Sequence, residues 1–519
     1  MDTSVLLSDR KRTFLLSAVT NYGTIVVSIV VGLISVPIGL HYFGPVLYGI
    51  WFVIGSILGY LRMADFGIKL STLTLIAQNP NASHQRVILR RSLGLLLEIA
   101  VFFIGVVLIV SRLFPGWIAI LGKIPSNFQR EATTAVLALG ILIFFQLPTT
   151  AFTATFSGLQ KVHWNRIYSA FNSISLLAAL LITILIRGNL VTLAIFTGIG
   201  SLLIGIISGI HLFIANPDIQ PRFTEKITDA PSNKLIFISG IRFLILSIAS
   251  LIILNTDNLV ISHCIGAANV TPYAVTFKIF YTSLMIVNGS IFALWPMYGK
   301  AFGNNDWQWI QWTYNRITLP LLIAGGLVWI GGIIFCELFI NLWVGSAGYG
   351  GLLTVFALGG YVYLSSFGGS NVSIVNGLNP TSIVVVFGLI EAGLNIVISL
   401  LLVKPLGIGG VALGTFIASL AVNTWFHPVY IRYRTLKKVS LKIKPILIHT
   451  SIVAWCVILA LIIVTRTSPG WTRFASGVAV IILYLLLSWK NMPGSSQNFI
   501  RDSLTKLLQP KNAQKITNL

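Results

Sequence analysis

The feature that most constrains this chain is a series of long apolar runs separated by short polar connections. An apolar run of 18 or more residues with few charges predicts a transmembrane helix, and the first such run extends over about residues 13–41. The others lie at about 46–78, 87–113, 130–157, 163–187, 190–215, 235–264, 273–299, 316–341, 350–376, 381–404, 407–431, 444–465 and 471–489. The sequence therefore predicts an all-α polytopic membrane protein with about 14 transmembrane helices.

Composition and motifs exclude several classes of function. Charged residues make up 9% of the chain, where an ordinary soluble domain has about 25%, and this excludes a soluble globular enzyme. The sequence contains no GxxxxGK(S/T) motif, no CxxC pair and no metal-binding histidine spacing. We therefore predict no enzymatic activity, no metal and no cofactor. We attribute the net charge of +22 to membrane topology rather than to nucleic-acid binding.

The distribution of lysine and arginine predicts the orientation in the membrane. With an even number of helices, both termini lie on the same side. The connections on that side carry far more lysine and arginine than those on the other side. Since positively charged loops stay in the cytoplasm, both termini are predicted to be cytoplasmic.

An internal repeat divides the first twelve predicted helices into two sets of six. Tyr42–Gly44, after the first helix, corresponds to Cys264–Gly266 after the seventh, and Gly198–Ser201 corresponds to Phe416–Ser419 at nearly the same offset. A repeat of six helices preserves orientation, so the two halves should be related by an axis along the membrane normal. The predicted domains are an N-terminal six-helix lobe at 1–215, a cytoplasmic linker at 216–234, a C-terminal six-helix lobe at 235–431, helices thirteen and fourteen at 432–489 and a cytoplasmic tail at 490–519.

Charged residues inside the apolar runs are the most informative about function, because each is unfavourable there unless it faces a cavity or a partner. Arg62, Asp65 and Lys69 lie in the second predicted helix at spacings that place them on one face, within pairing reach. In one interpretation they line a hydrated cavity. In the other they form a self-compensated cluster that fixes helix packing.

Four further charged residues lie in helices seven, eight and eleven. We expect substrate binding from the basic residues Arg62, Lys69, Arg242 and Lys278. The candidates for ion coupling are Asp65, Asp257 and Glu391. Two alternatives stay open: Asp257 faces an interface, and Glu391 is a buried neutral acid hydrogen-bonded to a neighbour.

Several motifs resemble bacterial polysaccharide and O-antigen flippases. One pair is Phe43–Trp51 (FGPVLYGIW) with Ala64–Gly67 (ADFG), and the other is Glu391–Asn395 (EAGLN) with Pro405–Ala412 (PLGIGGVA). The similarity covers roughly residues 10–435. These flippases belong to the multidrug/oligosaccharidyl-lipid/polysaccharide (MOP) exporter superfamily.

The resemblance implies a fold and a function. It implies two six-helix lobes around a central cavity, alternating access, and a place in the bacterial inner membrane. It also implies that the substrate is an undecaprenyl-diphosphate-linked oligosaccharide, moved from the cytoplasmic to the outer leaflet. The expected partners are this lipid-linked oligosaccharide, membrane lipids, H⁺ or Na⁺ as a coupling ion, and a polysaccharide polymerase. The alternatives are a lipid II flippase, an ion-coupled multidrug exporter of the same fold, and a non-transporting scaffold of a polysaccharide assembly complex.

Overall fold

The structure is a computed structural model. It describes the following parts of the chain: residues 3–79, 81–114, 117, 121–221, 231–289, 291, 294–377, 381–439, 442–494 and 496–498. Within these residues it consists of helices joined by short connections, and they contain no β-strand. The predicted all-α fold class is confirmed.

Sixteen α-helices make up the described chain, and we number them in order. The first eight are α1 (Thr3–Leu61), α2 (Ile68–Gln78), α3 (Ala82–Leu113), α4 (Ser126–Gln146), α5 (Thr150–Gly158), α6 (Val162–Leu185), α7 (Leu190–Ala215) and α8 (Asn233–Ile265). The others are α9 (Val270–Asn288), α10 (Leu294–Gly303), α11 (Trp307–Trp343), α12 (Leu352–Gly377), α13 (Thr381–Asn423), α14 (Phe426–Arg434), α15 (Ile443–Arg466) and α16 (Trp471–Lys490).

The helices that could cross a membrane can be matched to the predicted apolar runs. Eleven segments of the described chain are long and apolar enough to cross a membrane. Two of them, Thr20–Asp65 and Ile383–Arg434, are each divided by non-helical backbone, at Gly44 and at Gly407. The 33-residue helix α8 is also long enough, at about 1.5 Å per residue, to span about 30 Å of hydrocarbon. Counted this way, the described residues contain the fourteen predicted crossing segments.

The contacts between helices divide the chain into two compact units. Unit 1 is Met1–Thr271 and unit 2 is Pro272–Leu519. The predicted domains rest on the internal repeat rather than on compactness, so their boundaries and the axis that relates the lobes stay predictions. Residues 222–230 of the predicted linker and 499–519 of the predicted tail lie outside the described residues.

Unit 1 has an apolar core where α2, α3, α5, α6 and α7 meet. Its fully buried members include Ile68, Ile76, Leu89, Phe156 and Leu212. Each of these comes from a different helix or a different turn, so burying them fixes the helices against one another. This core holds the start of α2 in place, and the candidate site is built at that point.

In unit 2 the last two helices attach to α11. Arg473 at the start of α16 forms an ion pair with Glu337 on α11, with 2.5 Å between Nη1 and Oε2. The hydroxyl of Tyr484 on α16 donates to the carbonyl of Ile323 at 2.8 Å and contacts Nε2 of His449 at 3.0 Å. Polar contacts therefore hold α15 and α16 to this unit.

Candidate substrate cavity

The segment that carries Arg62, Asp65 and Lys69 is a broken helix. α1 ends at Leu61, a 3₁₀ turn covers Arg62–Asp65, and Phe66 and Gly67 both adopt left-handed backbone conformations before α2 begins. The prediction that these residues share one face of a continuous helix is therefore wrong. The carboxylate of Asp65 accepts a hydrogen bond from the backbone N–H of Gly67 at 2.8 Å. Such local bonds compete with the helical ladder.

Gly67 is required at this break for two reasons. Its φ of +71° lies in the left-handed region that favours glycine. A β-carbon at position 67 would also overlap the carbonyl oxygen of Gly240 on α8, and one at position 240 would lie 2.6 Å from the carbonyl oxygen of Phe66. The break and α8 therefore touch backbone to backbone, which explains the glycine of the Ala64–Gly67 motif.

The break lies at the wall of a cavity of about 710 Å³ inside unit 1. Its lining comes from α1, α2, α4, α6, α7, α8 and the 3₁₀ turn, and it includes Arg62, Asp65 and Lys69. We call it the main cavity. The break thus brings the three predicted residues to one cavity, although they do not share a helix face. These are the charged residues of its described lining, and together they carry one surplus positive charge.

The two basic groups of the main cavity are not paired with the acidic one. Within the described residues, no nitrogen of Arg62 or Lys69 lies within 4.0 Å of a carboxylate oxygen. The expected ion pairs with Asp65 are therefore absent from this part of the chain. Lys69 lies within electrostatic range of Asp65, Arg62 and Arg166. Both cationic groups remain available to an anionic ligand.

Four neutral polar residues of the described chain, which the sequence pattern did not reveal, also line the main cavity among mostly apolar neighbours: Gln146, Thr197, Ser201 and Asn255. Gln146 on α4 lies beside Ser201 on α7, with its amide nitrogen 3.4 Å from the serine carbonyl. The Thr197 hydroxyl is buried in the same lining without a hydrogen-bond partner in the described chain. Such residues carry no clear signal in the sequence, because serine, threonine and glutamine are also common in helices that line no cavity.

A second cavity of about 190 Å³ adjoins the first inside unit 1. Lys69, Gln146 and Ser201 line both. Hydroxyl and amide side chains dominate the rest of its wall: Thr149, Thr150, Thr153, Asn165, Tyr168, Ser169, Asn172 and Ser208. We call it the side chamber.

The remaining predicted residues of unit 1 lie on α8. Asp257 is buried, with 3% of its surface exposed, where α8 packs on α1. Next to it, Thr256 and Tyr60 hydroxyls lie 2.6 Å apart, and the Asn258 amide donates to the Ser56 hydroxyl at 2.9 Å. Asp257 is not part of the described lining of the main cavity. Arg242 also belongs to α8, but its side chain lies outside the described residues.

Lys278 and Glu391 belong to unit 2, so they are not part of the main cavity. Lys278 is half-buried on α9. Glu391 is buried on α13, and its Oε1 accepts a hydrogen bond from the Asn423 amide at 3.0 Å. The same amide donates to the Ser419 hydroxyl at 2.9 Å. A hydrogen-bonded, buried carboxyl was one of the two expectations for Glu391, and ion coupling there stays a prediction.

Comparison with solved structures places this architecture among known transporters. The chain superposes on the lipid II flippase MurJ in an inward closed conformation with a TM-score of 0.69, covering 94% of this chain and 100% of that one. It superposes on an inward-facing multidrug resistance MATE family transporter of the MOP superfamily with a TM-score of 0.66, covering 80% and 99%. Each is 15% identical to this chain. The chain has the same fold as these MurJ and MATE structures.

Curated relatives with the name "Putative O-antigen transporter" extend this comparison. The relative from Salmonella typhi is 36% identical over 98 residues, and the one from Salmonella typhimurium is 24% identical over 198 residues. The matched segments span 22% and 44% of the lengths of these relatives. No protein-family model matches the chain. The resemblance predicted from the sequence is confirmed, and the chain is a multi-pass membrane protein similar to transporters.

Proposed function

We propose that this protein is a flippase that moves an undecaprenyl-diphosphate-linked oligosaccharide from the cytoplasmic to the outer leaflet by alternating access, for polysaccharide export. The main cavity carries this proposal, because Arg62 and Lys69 present cationic groups there without an ion-pair partner in the described chain. We place the protein in the bacterial inner membrane with both termini cytoplasmic, and we infer no enzymatic activity.

The chemistry of the cavity suits a lipid-linked diphosphate. A diphosphate and its sugars cannot cross about 30 Å of hydrocarbon unaided, because each charged or hydroxyl group would lose its hydration without replacement. The planar guanidinium of Arg62 offers a fork of donors for phosphate oxygens, and the ammonium of Lys69 offers a compact charge. The few polar side chains of the lining, Gln146, Thr197, Ser201 and Asn255, can replace part of the water around the sugars while the lipid tail stays in the bilayer.

The main cavity bears on two of the three alternatives, and the names of the relatives bear on the third. A cationic drug is disfavoured by the surplus positive charge of the lining. Lipid II also carries a diphosphate, so the names of the curated relatives, rather than the cavity, favour another oligosaccharide. A scaffold needs no cavity with charged residues in its wall, and the main cavity therefore favours a transporter.

Coupling to an ion gradient would give the movement its direction. One charge crossing 100 mV contributes roughly 2.3 kcal/mol. Of the three candidates, Asp65 lines the main cavity, Asp257 lies in the contact of α1 with α8, and Glu391 is hydrogen-bonded inside unit 2. We retain H⁺ and Na⁺ as candidate ions and a polysaccharide polymerase as a candidate partner.

A reconstituted assay tests the proposal. The purified full-length protein is placed in proteoliposomes with fluorescent undecaprenyl-diphosphate oligosaccharide, lipid II or a cationic dye, and the fraction reaching the opposite leaflet or the lumen is measured. We expect transfer of the oligosaccharide lipid well above that of lipid II, and no accumulation of the dye. Equal or faster transfer of lipid II would support the MurJ-like alternative, and transport of the dye alone would support the multidrug exporter.

A further inference from the structure

We propose that the side chamber binds the first sugar of the substrate, the one attached directly to the diphosphate, and that its wall selects among sugars. This inference rests on the proposed function and deepens it. It assigns sugar recognition to α5 and α6, and it separates that role from the phosphate contacts of Arg62 and Lys69.

The position of the chamber is the first argument. Lys69, Gln146 and Ser201 line the chamber and the main cavity alike, so the two cavities meet where these three residues form the wall. A diphosphate held at Lys69 would stand at the mouth of the chamber. The first sugar is bonded to that diphosphate, so it is the part of the head group that reaches the chamber.

The hydrogen-bonding character of the wall is the second argument. The hydroxyl of Thr150 donates to the Leu147 carbonyl at 2.6 Å, that of Thr153 to the Thr150 carbonyl at 3.0 Å, and that of Ser169 to the Asn165 carbonyl at 2.9 Å. Each hydroxyl proton is thus used on a backbone carbonyl three or four residues earlier in the chain, and the oxygen lone pairs are left for a ligand. The wall is therefore rich in acceptors.

Donors are fewer and fixed in place. The carbonyl oxygen of Asn172 accepts a hydrogen bond from the Ser201 hydroxyl at 2.7 Å, which sets the orientation of the amide. Its NH₂ group has no hydrogen-bond partner in the part of the chain that the structure describes. The chamber thus offers many acceptors and a few donors, among them this amide and the ammonium of Lys69.

The balance of many acceptors and few donors indicates which class of ligand the side chamber binds. An anion inside the chamber would face the acceptor lone pairs, and a cation would be repelled by the Lys69 side chain in the wall. A neutral polyol satisfies both conditions, because its hydroxyl groups donate to the wall and accept from Asn172. The volume of about 190 Å³ corresponds to roughly six water molecules at about 30 Å³ each, which suits one sugar ring rather than two.

Two threonines of α5 provide a matched test. Thr153 lines the chamber, whereas Thr155 does not, and each donates its hydroxyl proton to a backbone carbonyl of the α4–α5 segment. Thr153→Val and Thr155→Val therefore each remove a hydrogen bond from a side-chain hydroxyl to a backbone carbonyl. Thr153→Val alone also removes a hydrogen-bond acceptor from the wall of the side chamber. Asn172→Leu is a second variant that removes the amide donor at similar volume.

The experiment measures transfer of undecaprenyl-diphosphate monosaccharides that differ at single sugar hydroxyls, using the full-length protein in proteoliposomes. In the wild type and in Thr155→Val, we expect the transfer rate of the best sugar to exceed that of the poorest by about tenfold or more. In Thr153→Val and Asn172→Leu, this ratio of transfer rates should fall to about threefold or less. Arg62→Gln should slow every sugar alike.

The outcomes separate this inference from the proposed function. If the wild type moves these lipids but Thr153→Val and Asn172→Leu discriminate as the wild type does, the sugar role of the chamber is wrong and the flippase proposal stands. Equal rates for all sugars in the wild type also overturn the sugar role. If the wild type moves none of the diphosphate-linked lipids, the proposed function fails, and this inference fails with it.

Discussion

At the scale of residues, Asp65 has a local role that limits how its neighbours can be tested. Its carboxylate accepts the Gly67 N–H and so holds the break after α1. Exchanging the charges of Arg62 and Asp65 would remove that bond and disturb the backbone as well as the charge. Substitutions at Arg62 alone leave the break intact, because Arg62 has no ion-pair partner in the described chain.

We expect Arg62→Gln to reduce surface polysaccharide export by about tenfold or more, since a hydrogen bond to a charged group contributes about 1.5–3 kcal/mol. Arg62→Lys should retain part of the activity, because the charge stays while the fork of donors is lost. Export is measured in a strain that lacks the native gene, at matched membrane levels. Arg112→Gln, the same change outside both cavities, should export normally. Normal export by Arg62→Gln would assign Arg62 to packing.

The sequence revealed the charged residues of the site but not the neutral ones. Arg62, Asp65 and Lys69 stand out because a charge inside an apolar run is costly. Gln146 and Asn172 do not, because amides and hydroxyls satisfy their hydrogen bonds within almost any helix. Their grouping at one chamber depends on how α4, α6 and α7 pack, and one sequence does not contain that information.

At the scale of elements, hydropathy predicted the helices well and missed the break at 62–67. Apolar runs report burial in lipid, and the run from 46 to 78 is continuous by that measure. The break depends instead on the carboxylate of Asp65 and on Gly67. Hydropathy does not record how these two residues change the backbone conformation. The divisions at Gly44 and Gly407 were predicted, since polar or proline-containing connections accompany them.

We expect Gly67→Ala to destabilise the protein and abolish export. The new β-carbon would overlap the Gly240 carbonyl and strain the left-handed backbone. Gly94→Ala is the matched control, because Gly94 lies inside α3 with open space around it and alanine favours helix by up to about 1 kcal/mol. Thermal unfolding in detergent and export are compared for both. A Gly67→Ala protein as stable as Gly94→Ala would contradict the close contact.

The ion pair between α16 and α11 predicts how substitutions at its two residues change the stability of the protein. Arg473 is 4% exposed and pairs with Glu337. Glu337→Gln should lower the free energy of unfolding by about 3 kcal/mol, because it leaves a buried charge without its counter-charge. Glu337→Leu with Arg473→Met should recover part of this loss, although the Val464 and Thr467 carbonyls lose their donor. Equal melting temperatures for Glu337→Gln and the wild type would show that the pair adds no stability.

At the scale of the whole molecule, the predicted all-α class is confirmed, and the orientation in the membrane stays a prediction. Charge in the connections places the segment after α14 in the cytoplasm and the connection after α11 outside. Reporter fusions at Lys437 and Gly345 measure this directly. We expect activity from a cytoplasmic reporter at Lys437 and from a periplasmic phosphatase at Gly345. Phosphatase activity at Lys437 would refute the orientation.

The backbone contact of Gly67 with Gly240 has a consequence for how this chain changes over generations. Neither position admits a side chain, and a compensating change at one cannot make room at the other, since the obstructing atoms are backbone atoms. The walls of the two cavities consist of side chains, which selection is free to exchange one at a time. Single substitutions can thus alter the chemistry of the two linings, whereas a side chain at either of these glycines would push two backbone segments apart.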